Sequence, residues 1–139
     1  MRRAVGLPAV LMLSALLINL SSAEAKNCGD KLVGNSYNCI AKDTKGESGS
    51  GCFEFESGGI SDDFDLLVEG QDYGCACDAS GSVSSPSFDS SSSSFECLSV
   101  AVGFLINGKL KGNKIAAQGI EESGFTQIFD CTKSSTPCP

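Results

Sequence analysis

Apart from one continuous apolar block near its start, the chain places hydrophobic and polar residues alternately, in short runs interrupted by glycine and serine. A repeat of two is that of a half-buried strand, so the pattern predicts β-strands and no amphipathic helix after the apolar block. Tyr37 to Ala41 is the first candidate, followed by a polar turn over Thr44 to Gly51. Cys52-Phe53-Glu54-Phe55-Glu56 alternates strictly. The two phenylalanines belong to the buried face, which leaves Cys52 with the glutamates on the outer face or at the strand's end.

Further strands are expected in Ile60 to Val68 and Tyr73 to Cys77. Ala79 to Ser94 is dominated by serine, which offers little to a core, and reads as a long exposed hairpin loop. Val100 to Ile106 and Lys109 to Leu110 flank Asn107-Gly108, the favoured pair for a two-residue turn, and predict a hairpin there. Lys114 to Ile120 and Phe125 to Cys131 form a second hairpin across Glu121-Glu122-Ser123-Gly124. Glycines at 103, 112 and 119 suggest bulges or strong curvature, as a sheet closing on itself requires. The expected fold is all-β: a small antiparallel meander closing into a barrel or sandwich, stabilised by disulfides.

The apolar block, Ala9 to Leu20, follows Arg2 and Arg3 and precedes Ala23-Glu24-Ala25. A short basic region, an apolar run too short for a membrane span and small residues at a cleavage site are the marks of a signal peptide. Residues 1–25 are therefore expected to be removed, leaving 26–139 as a single disulfide-rich β domain with its serine loop at 79–94. No other stretch is apolar enough to span a bilayer, so the mature product is expected to be secreted into the extracellular space.

All eight cysteines follow that site: Cys28, Cys39, Cys52, Cys75, Cys77, Cys97, Cys131 and Cys138. An even number in a short chain entering an oxidising compartment points to structural disulfides. Eight cysteines allow 105 complete pairings. Two local pairings are expected from spacing, Cys131 with Cys138 and Cys28 with Cys39. Cys75 and Cys77 are expected to take separate partners, because a bridge between residues two apart in a strand is strained. Zinc is disfavoured by the lack of CxxC spacing and of histidine. Cys75-Ala76-Cys77 also lacks redox-motif spacing.

Removing 1–25 takes away both arginines and Glu24, leaving eight lysines against sixteen acids. That acid excess argues against nucleic acid as a partner. The absence of histidine removes the usual general base and the Ser-His-Asp and Cys-His nucleophilic arrangements. Carboxylate chemistry remains, through Glu54, Glu56, Asp62, Asp63, Asp65, Glu69 and Asp72, a segment without a basic residue. These acids read first as a solvated outer face. No cofactor is expected, calcium at Asp62-Asp63-x-Asp65 being the one weak candidate, without the spacing of an EF-hand. Lys109, Lys111 and Lys114 form the opposing basic cluster, suited to docking a partner or to protecting an edge strand.

In layout, a small acidic chain rich in serine and cysteine, the protein is similar to small cysteine-rich proteins of the plant extracellular space, without a motif that names a family. The leading expectation is a secreted, non-enzymatic binding module for an extracellular protein or carbohydrate. A small barrel carrying an apolar ligand and a carboxylate-dependent hydrolase are the alternatives.

Overall fold

The computed structural model describes residues 28–59, 63–78 and 92–139. Residues 1–25, Asp62 and the serine-rich stretch 79–91 lie outside the described residues. The chain forms eight strands: β1 (Ser36–Asp43), β2 (Ser48–Ser57), β3 (Phe64–Val68), β4 (Gln71–Cys77), β5 (Ser93–Ser99), β6 (Phe104–Lys111), β7 (Lys114–Glu121) and β8 (Thr126–Ser134). Each pairs antiparallel with the next, and β1 also pairs with β8, from Ser36 opposite Ser134 to Asp43 opposite Gln127. The result is a closed up-and-down barrel with no free strand edge.

An eight-stranded barrel has an interior just wide enough to be filled by side chains. Here the filling is aromatic. Tyr37, Phe53, Phe55, Phe64, Tyr73, Phe95, Phe104 and Phe129 are all buried. Phe55 is the hub, with its ring centroid 5.8 Å from Tyr37, 6.3 Å from Phe53, 6.1 Å from Phe64 and 5.4 Å from Phe95. The alternation in β2 thus sends both phenylalanines inward, as the sequence pattern requires.

One end of the barrel is plugged by a single helical turn, residues 28–32, which the strand pattern did not anticipate. Cys28 and Leu32 are fully buried in it. The turn is bonded in place, since Gly34 N–H donates to the Phe55 carbonyl at 2.8 Å and Phe55 N–H to the Asn35 carbonyl at 3.0 Å.

The disulfides are Cys28–Cys77, Cys39–Cys131, Cys52–Cys138 and Cys75–Cys97. The local pairings Cys131 with Cys138 and Cys28 with Cys39 are therefore wrong. Closure puts Cys39 directly opposite Cys131, with Cα atoms 4.0 Å apart, and Cys75 faces Cys97 at 4.1 Å. Such close approach belongs to the non-hydrogen-bonded pairs of an antiparallel ladder, where side chains on one face come nearest. Cys75 and Cys77 have separate partners.

The Asn107-Gly108 turn is also overturned. β6 runs straight through both residues and pairs with β5 and β7 along its length. The strand begins at Phe104, and 100–103 is the turn before it. Gly108 sits opposite Phe95, and a Cβ there would lie 2.3 Å from the ring's ζ carbon. The glycine is required as a seat for an aromatic ring, and the tight turn falls instead at Gly112-Asn113, where Gly112 has φ 61°. Two loop boundaries shift as well: Ser48 to Gly51 belong to β2, and Ser93 and Ser94 open β5.

The packing makes two expectations testable. Gly108→Val should lower the stability measured by denaturant titration by about 1–3 kcal/mol or more through overpacking, whereas Gly49→Ala, which has open space around it, should change it by less than about 0.5 kcal/mol. Strong reductant should lower the thermal midpoint sharply, since loss of a single native bridge from a small domain costs about 2–5 kcal/mol; an unchanged midpoint after verified thiol release would contradict a structural role for the bridges.

Candidate functional site

Because rings fill the inside, the wall's outward positions are the ones open to a partner. In β1 these include Asn38 and Ile40; in β8 they include Asp130 and Thr132. Closure sets Asn38 beside Thr132 and Ile40 beside Asp130. On the other side of β1, Ser50 and Gly51 of β2 add little bulk, so the wall dips there.

A ridge bounds the dip. Cys52 faces outward, which was the unresolved feature of its strand, and its partner Cys138 lies on the segment that follows β8 and crosses the outside of β2. Glu54 fixes that segment a second time, its Oε1 accepting from Cys138 N–H at 3.0 Å and from Ser36 Oγ at 3.5 Å. On the far side Lys114 Nζ donates to Thr132 Oγ1 at 3.1 Å. Leu67, Glu69 and Gly70, at the β3–β4 connection, complete the rim.

The open groove has a volume of about 900 Å³, within the usual range for ligand sites. Its floor carries Ile40, which is 57 % exposed, among hydroxyl, amide and carboxylate groups. Such a lining offers hydrogen bonds to a polar ligand and one apolar surface for its C–H face.

Of the seven acids named from the sequence, Glu54, Glu56, Asp65 and Asp72 lie close enough to act on one another. Glu54 holds the tail segment, and Glu69 sits on the groove's rim. Asp65 is buried, with its Oδ2 accepting from Gly59 N–H at 2.9 Å. Asp63, Glu56 and Asp72 are exposed, and Asp62 lies outside the described residues. Among the described residues, no group of three or more histidine, cysteine or acidic side chains is arranged to hold a metal ion.

Glu56 is the acid whose environment acts on its proton. Desolvation, with the negative charges of Glu54, Asp72 and Asp65 and a hydrogen bond with Glu54, raises its pKa above the ordinary value. The lysine cluster divides too. Lys109 and Lys111 share the outer face of β6, but Lys111 lines a separate concavity and Lys114 lines the groove. In a closed barrel none of them has an edge strand to protect.

Asn38, Ile40, Asp130 and Thr132 were not singled out from the sequence. Ile40, an apolar residue on the polar phase of its strand, was the available signal. No protein-family model, curated protein or solved structure matches the chain. Among the described residues, no helix is long and apolar enough to cross a membrane.

The raised pKa of Glu56 gives a pH dependence of definite sign. A carboxyl that binds its proton more tightly in the folded chain than in the unfolded one makes stability fall as pH rises through its titration range. Glu56→Gln should remove this contribution, raising the denaturation midpoint at neutral pH and flattening its acid-side pH profile; an unchanged profile between pH 3.5 and 6.5 would rule out repulsion at this site.

Proposed function

We propose that the chain is a secreted, non-enzymatic binding module that holds an extracellular carbohydrate on the outer wall of its barrel. The observation that carries this reading is the groove of about 900 Å³ beside β1, on a barrel whose interior is occupied by packed rings. Four disulfides in the fold support an oxidising destination.

A carbohydrate is favoured over a peptide for a structural reason. Extended peptides commonly gain affinity by adding a strand to an open sheet edge, and a closed barrel offers none. Recognition must then come from side chains. Asn38, Asp130, Thr132 and Ser50 offer groups that pair with sugar hydroxyls, while Ile40 can pack against a ring's C–H face.

The apolar-carrier reading loses support from the ring cluster around Phe55, which takes up the space such a ligand needs. The hydrolase reading loses support from Glu54, already engaged by Cys138 and Ser36, and from Asp65, which is buried and accepts from Gly59 N–H.

The test is titration calorimetry of the oxidised protein against neutral and acidic oligosaccharides. Asn38→Ala and Asp130→Ala should each weaken the bound saccharide about tenfold or more, the effect of roughly 1.4 kcal/mol, with the thermal midpoint preserved. Leu98→Ala, on the outer face of β5, should leave affinity unchanged. Saccharide binding indifferent to both groove variants would remove the groove, and absence of saccharide binding together with a purified protein partner lost in the same variants would reassign it to a protein.

A further inference from the structure

The four disulfides differ in what a soluble thiol can reach. Cys39–Cys131 and Cys75–Cys97 lie within the core, and none of their four cysteines is more than 2 % exposed. Cys28–Cys77 joins a half-buried Cys77 to Cys28, which is wholly buried. Cys52–Cys138 is the one bridge with both cysteines only half-buried, and both of them line the open groove.

Access decides reactivity because thiol–disulfide exchange begins with a thiolate attacking one sulfur and expelling the other as a thiolate. The attacked residue must be reachable, and the expelled one must carry a charge. At Cys28–Cys77 only Cys77 keeps solvent access, so the charge would fall on Cys28, where burial disfavours a thiolate. At Cys52–Cys138 neither residue is buried, so either can take the attack and either can carry the charge. The segment that this bridge holds has little else to keep it in place. Ser135, Thr136, Pro137 and Pro139 are exposed. Among the described residues, and beyond the local bonds between Ser134 and Thr136, its hydrogen bond to the wall is the one from Cys138 N–H to Glu54 Oε1 at 3.0 Å.

We propose that Cys52–Cys138 is a thiol-exchange site, at which a dithiol reductant releases 135–139 from β2 and opens one side of the groove. One thiolate of the dithiol attacks the Sγ of Cys52 or Cys138 and displaces the other as a thiolate, which takes up a proton. The second thiol of the dithiol gives up its proton and attacks the mixed disulfide, so that two protein thiols form and the dithiol becomes a disulfide. Two electrons and two protons pass to the protein, while the other three bridges stay closed. Asn38, Ile40, Asp130 and Thr132 keep their places on β1 and β8, but the ridge that bounds them is gone. A weaker hold on a saccharide follows; that consequence rests on the carbohydrate reading, and the exchange site itself does not.

The experiment exposes the folded, oxidised protein to dithiothreitol, traps freed thiols with an alkylating agent at intervals and maps them by peptide mass spectrometry. Cys52 and Cys138 should be trapped at least about tenfold faster than the other six cysteines. In the resulting two-thiol protein, amide shifts should be confined to the groove and the segment beside it, including Ser50, Cys52, Glu54 and Cys138, with the resonances of the core unchanged. Cys52→Ser/Cys138→Ser should show the same shifts without reductant, and the two-thiol protein, made from chain already folded, keeps the test valid if that variant does not fold. Calorimetry should find the groove's saccharide bound at least about tenfold more weakly by the two-thiol form. Earlier opening of another bridge, simultaneous opening of all four, or an unshifted Cys138 amide would overturn the site. Equal saccharide affinity in both forms would overturn the opening of the groove. Saccharide binding by neither form, with trapping and shifts as expected, supports the exchange site and removes the carbohydrate reading alone.

Discussion

The pairing of β1 with β8 is the interaction on which the rest of this structure depends. It joins residues as much as 98 positions apart, so its closure entropy is recovered only when the whole meander is in place. The Cys39–Cys131 bridge lies within that seam and fixes its register covalently. Without the seam there is an open sheet with two bare edges and no groove, because the groove draws residues from each side of it.

Closure also settles what the interior holds. Rings from β1, β2, β3 and β5 converge on Phe55, and two neighbouring strands make room by giving up a side chain: Gly108 under Phe95 and Gly119 under Phe104. At Gly119 a Cβ would lie 2.4 Å from the Phe104 ring. Glycines that look like turn signals along the sequence are here the complements of large neighbours across the sheet. With the inside committed to packing, the wall and the ends are where side chains contribute little to the core and are free to differ in chemistry.

The outer bridge has a different part from the inner ones. Cys39–Cys131 and Cys75–Cys97 tie adjacent strands, and Cys28–Cys77 ties the helical turn to the barrel. Cys52–Cys138 lays a stretch of non-strand chain across β2, and Glu54 fastens it with a side-chain acceptor. A smooth convex wall becomes a groove by that addition.

The sequence by itself determined the strand class, the inward face of β2 and the bonding fate of the cysteines, because these follow from local alternation, from the burial of Phe53 and Phe55 and from an even cysteine count. It also placed Cys75 and Cys77 with different partners, since strand geometry forbids the short bridge. Tertiary structure alone decided which cysteines meet and where the tight turn after β6 falls. Spacing along the chain favoured Cys131 with Cys138 and Asn107-Gly108 as a turn, but the seam carried Cys131 to Cys39, and the Phe95 ring claimed Gly108. The physical reason is common to both: a closed barrel makes neighbours of residues from its two ends, and cross-strand packing then outweighs local preference.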